Sequence, residues 1–194
     1  LRCDLACRHC GSRAGRTRPD ELNTAEALDL VAQLADLGCE EVTVIGGEAY
    51  LREDWTEIVR ANKAFGMRPS MTTGGRGLTR EVARDGKRAG LESVSVSVDG
   101  LESTHDALRG VKGSFASAMA ALENAAAEGL PASANTQIGR SSLKEIPQVF
   151  ELLAAKKIHS WQVQLTVAMG RAVDEPELLL EPYQMLEVMP MLAR

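Results

Sequence analysis

Five short runs of β-branched and small apolar residues recur along the chain, at 42–45, 68–73, 93–98, 132–138 and 161–167, and each reads as a strand. The intervals between them carry helical spacing. In TAEALDLVAQLADLG, residues Leu28, Val31, Leu34 and Ala35 recur every three or four positions, which sets one apolar face against a sheet, and Gly38 ends the helix. Asp54 with Glu57 predicts a capping box opening DWTEIVRANKAFG, closed by Gly66, and Ser142 with Glu145 predicts a second box. Strand and helix in alternation are the pattern of βα units around a parallel sheet. The expected fold is therefore α/β, either a parallel barrel or an open doubly wound sheet.

In both architectures the functional loops follow the C-terminal ends of the strands. The first such loop is IGGEAYL, where Gly46 and Gly47 permit close backbone approach and Glu48 places a carboxylate at the rim. The next three are MTTGGRG, SVSVDG and NTQIGR. Glycine pairs at strand ends are common turn chemistry, so none of these loops is specific alone.

With 194 residues, 44% hydrophobic and 25% charged, the composition fits one globular domain with a real core. Only two residues precede Cys3, so a first strand of roughly five residues is expected to lie outside this sequence. Residues 1–194 then read as one domain of a longer protein, with an unpaired sheet edge at strand 42–45 or 161–167. The tail EPELLLEPYQMLEVMPMLAR reads as a connecting turn and an amphipathic helix. A formal charge of −5 argues against a general nucleic-acid binder. No apolar run reaches the ~18 residues of a membrane span and no basic-then-apolar leader opens the chain, so a cytoplasmic, membrane-free protein is expected.

Four cysteines in such a chain point to metal binding or reactivity rather than to disulfides. Cys3, Cys7 and Cys10 cluster in LRCDLACRHCGSRAG, among five arginines and one aspartate in residues 1–18. Arginine beside thiols favours the thiolate that binds metal. One ligand set is zinc on the three cysteines with His9 as fourth, although neighbouring His9 and Cys10 reach one ion awkwardly. Cys39 is expected to be a small buried filler, and His105 and His159 structural or solvated.

The stretches CDLACRHC, GGEAYL, VSVDGLESTHDALRG and VAMGRA, spread from residue 3 to residue 172, together resemble a radical S-adenosylmethionine (radical SAM) enzyme core. The resemblance is to the branch whose members often carry a C-terminal SPASM extension. It implies a parallel (βα)6 partial TIM barrel in which Cys3, Cys7 and Cys10 each hold one iron of a [4Fe–4S] cluster, leaving the fourth iron for SAM. Gly46, Gly47 and Glu48 match the motif that accepts hydrogen bonds from the SAM amino group. Ser97 and Asp99 match positions reaching the ribose hydroxyls. Asn135 and Arg140 lie at the fourth strand's end, and the Arg140 guanidinium suits the SAM carboxylate. Val167 and Met169 would line the adenine pocket, with His9 packed near the adenine.

The implied chemistry is reductive cleavage of SAM to methionine and a 5′-deoxyadenosyl radical, which abstracts hydrogen from a substrate. The implied partners are a reductant of flavodoxin or ferredoxin type and a peptide or small-molecule substrate, with tetrapyrrole side chains also within the family's range. Two positions depart from the pattern: Ala49 stands where proline is often found, and Gly74 where many relatives have asparagine. The cysteines expected for auxiliary clusters are missing from this sequence. The alternative is a non-catalytic zinc- or cluster-binding scaffold of the same fold.

Overall fold

The computed structural model describes residues 1–193. Five strands, β1 (Glu41–Val44), β2 (Arg68–Thr73), β3 (Ser93–Ser97), β4 (Ala132–Ile138) and β5 (Trp161–Leu165), pair in parallel in the order β1-β2-β3-β4-β5. A doubly wound sheet reverses its strand order at a switch point. This one does not, and it curls as a partial TIM barrel whose edges are β1 and β5, the two strands between which the sequence left the open edge. Arg2 forms an isolated parallel bridge with Gly15.

Among the described residues seven α-helices accompany the strands: α1 (Thr24–Asp36) ahead of β1, then α2 (Trp55–Ala64), α3 (Arg80–Ala89), α4 (Glu102–Arg109), α5 (Ser114–Ala127) and α6 (Ile146–Ala155) between strands, and α7 (Met185–Leu192) after β5. Strand alternation sends Met71, Val94, Val96, Ala132 and Ala134 to one face, where Val59, Ala83, Ala118, Ala121 and Leu122 of the helices pack on them. Complete burial of a valine or methionine side chain in this layer contributes about 1.5–3 kcal/mol. The other face carries Thr43, Ser70, Thr72, Ser95, Ser133, Asn135, Gln137, Gln162 and Gln164, half-buried or exposed. Cross-strand hydrogen bonds tie this polar face together, Thr43 to Ser70 and Ser133 to Ser160 at 2.8 Å each.

Two predicted caps are corrected. The Asp54 carboxylate makes no cap, because Arg52 takes both its oxygens, at 2.5 and 2.8 Å. Ser142 instead accepts from the Gly139 amide, while Glu145 accepts from the Leu101 amide at 2.8 Å and from Thr104 at 2.6 Å. The capping box that does form joins Asn23 and Glu26 at the start of α1. Cys39 is half-exposed rather than buried, its thiol 3.1 Å from the Glu41 carbonyl oxygen. A cavity of about 1040 Å³ opens between α1, β1 and α2. Among the described residues no helix is long and apolar enough to cross a membrane.

Candidate functional site

The cysteine loop is pinned by contacts far away in sequence. The amides of Ala6 and Arg8 donate to the carbonyls of Arg109 and Leu108 at the end of α4, at 3.0 and 2.8 Å. From the segment after β5, the Arg171 side chain donates to the carbonyls of Cys7, at 2.7 Å, and Ala14, at 3.0 and 3.1 Å. Gly170 makes that approach possible: it adopts φ +58°, and a Cβ there would lie 2.2 Å from the Cys10 carbonyl oxygen.

All three thiols are free, and each sulfur meets a donor: the Leu5 amide for Cys3 and the Ala14 amide for Cys10 at 3.4 Å each, and Arg109 Nη1 for Cys7 at 3.7 Å. Burial pushes the Cys3 thiol up to about 11 and raises Cys7 as well. Burial raises Cys10 too, but the Ser12 hydroxyl, nearby amides and Arg171 outweigh it and leave this thiol below its ordinary value. Thiols buried in this way ionise readily only when a metal supplies the compensating positive charge. The local arginines expected to do so are engaged outward instead, Arg8 by Glu175 and Glu177 and Arg13 by Asp174. Arg109 and Arg171, distant in sequence, are the cations that face the thiols.

The three sulfurs are spread wider than a single zinc ion requires. Three thiolates on one zinc sit about 3.8 Å apart, from Zn–S bonds of about 2.3 Å in tetrahedral geometry. The cysteine sulfurs do not come within 4.8 Å of one another as a set. The His9 Nε2 lies 3.2 Å from an Asp99 carboxylate oxygen, which leaves Nδ1 as its open nitrogen.

The loop after β1 reaches the same place. A Cys3 sulfur, an Asp4 carboxylate oxygen and a Glu48 carboxylate oxygen lie within 4.8 Å of one another. Gly47 is essential to this approach, because a Cβ there would stand 2.0 Å from the Arg2 carbonyl oxygen. Gly46 adopts φ +141°. Glu48 is buried, accepting from Thr73 Oγ1 at 2.5 Å and the Gly74 amide at 2.7 Å, and burial raises its pKa against those two bonds. Gly74 is tightly packed: a Cβ would lie 2.2 Å from Leu5 Cδ1 and 3.0 Å from Glu48 Oε1, so a larger residue there requires the Leu5 side chain to move.

The other candidate cofactor residues have the following partners within the chain. The Asp99 carboxylate does not stand free for a ribose; it is wholly buried, with Arg109 Nη2 at 2.5 Å, His9 Nε2 at 3.2 Å and the Gln137 amide donating at 3.0 Å. Burial would raise its pKa, but Arg109 and His9 hold it well below the carboxylate range. His9 is thereby fixed by Asp99, while its Nδ1 is buried without a partner. Arg140 turns outward, donating to Glu181 at 2.6 Å and the Leu179 carbonyl at 3.2 Å, because the chain after β5 folds back across it. Ser97 donates to Asn135 at 3.1 Å on adjacent strands. Val167 and Met169 are exposed, and the Met169 terminal methyl lies over Gly11, next to Cys10.

Arg109, Arg171 and Thr73 belong to this site and were not singled out from sequence. Arg109 lies within VSVDGLESTHDALRG and Arg171 within VAMGRA, so the quoted stretches held both without indicating their partners.

A family profile described as the radical SAM superfamily matches residues 1–153. The chain is 36% identical over 158 residues to Fe-coproporphyrin III synthase of Methanosarcina barkeri, covering 81% of this chain and 40% of that protein. It is 30% identical over 188 residues to PqqA peptide cyclase of Rhizobium meliloti, covering 96% and 50%. Streptococcus suis SuiB bound to S-adenosylmethionine superposes with a TM-score of 0.78 at 16% identity, over 96% of this chain and 42% of that one. The chain spans about half the length of the curated relatives it matches. The free cysteine triad, the glycine-rich carboxylate loop beside it and the profile match agree: the chain belongs to the radical SAM superfamily.

Proposed function

We propose that residues 1–194 are a radical SAM core domain that holds a [4Fe–4S] cluster on Cys3, Cys7 and Cys10 and SAM beside it. The observation carrying this reading is the meeting of two loops: the Glu48 carboxylate comes within 4.8 Å of the Cys3 sulfur at the C-terminal rim of a parallel half-barrel. Radical SAM enzymes bind this cluster and SAM, and the pair supplies one-electron cleavage of SAM and abstraction of a hydrogen atom from substrate.

The chain's own residues have separable parts in this reading. Glu48 and the carbonyls of Gly46 and Gly47 offer acceptors, the chemistry an ammonium group requires. Thr73 and the Gly74 amide hold Glu48 in place. Arg171 fixes the cysteine loop through its carbonyls. Met169 and Val167 offer apolar surface beside Cys10 for the adenine. An external reductant of flavodoxin or ferredoxin type delivers the electron.

For the substrate we propose a peptide rather than a tetrapyrrole. The polar sheet face presents the rows Thr72–Ser95–Ser133 and Ser97–Asn135–Gln162, neutral groups that can both donate and accept. These suit a peptide backbone, and the rows contain no cation for tetrapyrrole carboxylates. Anaerobically reconstituted protein supplied with SAM and dithionite is expected to release 5′-deoxyadenosine, and Cys10→Ala to lose both that release and about four irons per chain. Retained SAM cleavage in Cys10→Ala would overturn the assignment.

A further inference from the structure

We infer that Arg109 is a positioning residue that sets the reduction potential of the group bound by Cys7, with Asp99 as its counter-charge. The inference rests on the cluster reading above.

Arg109 is the last residue of α4 and is 8% exposed. Its guanidinium bridges two partners: Nη1 stands 3.7 Å from Cys7 Sγ, and Nη2 stands 2.5 Å from Asp99 Oδ2. Nε has no hydrogen-bond partner, and the Asp99 Oδ2 contact is an ion pair by distance without hydrogen-bond alignment. A buried guanidinium needs compensating negative charge or its desolvation goes unpaid. One compensating group is the Asp99 carboxylate. The other is the sulfur, which is a strong acceptor only as a thiolate.

Asp99 is itself held in place, by the Gln137 amide on β4 and by His9 Nε2, while its own amide donates to His105 Nδ1 at 3.2 Å. The pair therefore has a fixed polarity, with the cation on the sulfur side and the anion beyond it. The hydrogen-bond partners of the Cys3 and Cys10 sulfurs are neutral instead: backbone amides and, at Cys10, the Ser12 hydroxyl at 3.5 Å.

Reduction adds one electron and one negative charge to a thiolate-held cluster, with no bond made or broken at the ligands. A cation 3.7 Å from one ligand sulfur stabilises the reduced state, and an anion behind it opposes this at longer range. Net charge and hydrogen bonds to sulfur are among the quantities that set cluster potentials. The two residues should thus move the potential in opposite directions, which a purely structural role would not do.

The test is the midpoint potential of the anaerobically reconstituted full chain, titrated with dithionite and followed by paramagnetic resonance. Arg109→Gln is expected to lower it by at least a tenfold shift of the one-electron equilibrium, about 59 mV. Asp99→Asn is expected to raise it, and the double variant to return towards wild type. Arg109→Lys, which keeps the charge without the fork, should lie between wild type and Arg109→Gln. If Arg109→Gln fails to hold a cluster, Asp99→Asn decides: a potential unchanged or lowered overturns the inference. Shifts of the same sign in both single variants also overturn it. A wild-type chain that takes up no [4Fe–4S] cluster would instead overturn the underlying reading, so the two failures are distinguishable.

Discussion

Replacing Arg171 by alanine should unfasten the cysteine loop without unfolding the domain. The guanidinium is half-buried and makes three hydrogen bonds to two carbonyls, those of Cys7 and Ala14. Hydrogen bonds to a charged group contribute about 1.5–3 kcal/mol each when buried. Discounting for partial exposure, and counting two carbonyls rather than three bonds, the loop loses about 2–3 kcal/mol. That corresponds to a roughly 30- to 150-fold increase in the open population of the loop. Cys7 is the reporter, because it is 7% exposed and its thiol must be uncovered before it reacts. Pulsed alkylation of the metal-free chain, resolved by peptide mapping, should show Cys7 labelling accelerated to that extent. The global unfolding transition should change far less, since the Arg171 side chain bonds to the cysteine loop and not to the helices packed on the sheet. Alkylation of Cys7 at the wild-type rate in Arg171→Ala would refute the reasoning.

His105 makes stability pH-dependent below neutrality. Burial, with the Arg109 charge adding to it, pushes its imidazole down to about 4 from an ordinary 6.5. Between those values the unfolded chain binds more protons than the folded one, so stability is full above pH 6.5 and is lost as pH falls towards 4. The loss amounts to roughly 3 kcal/mol. Urea midpoints measured against pH should fall more steeply in wild type than in His105→Gln across that window, and parallel curves would contradict this. Gly47→Ala should cost at least about 2 kcal/mol through the clash with the Arg2 carbonyl, seen as a lowered melting temperature and faster exchange of the Glu48 amide, which donates to that carbonyl at 2.9 Å. Asn23→Ala should lower stability by about 1 kcal/mol in equilibrium unfolding, whereas Ser142→Ala should remove no helix cap, because no side chain caps the start of α6.

Much of the architecture could be read from the chain because its causes are local. The period-two runs gave all five strands, and the three-and-four spacing of Leu28, Val31 and Leu34 gave α1. Strand ends ran one or two residues long because alternation continues into the loops at Ile45, Val98 and Val167 after pairing stops. The cysteine triad and Gly46–Glu48 were legible because their chemistry sits in contiguous loops. The predicted caps failed wherever a side chain had a stronger competitor for its hydrogen bonds, near or far in sequence. Asp54 looked like a cap until Arg52 claimed it, and Glu145 was drawn to Thr104 and Leu101, more than forty positions away. Asp99 and Arg140, both near strand ends, carry charges met within the chain by Arg109 and Glu181, partners that only the folded chain brings close. Arg171 acts 164 positions from the carbonyl it holds, a relation no spacing rule exposes.

The most direct test of the account is the anaerobic absorption and paramagnetic resonance spectrum of the reconstituted protein, recorded with and without SAM. The account predicts a [4Fe–4S] signal on three cysteines that changes when SAM is added. A colourless protein holding zinc, or a cluster signal indifferent to SAM, would contradict it.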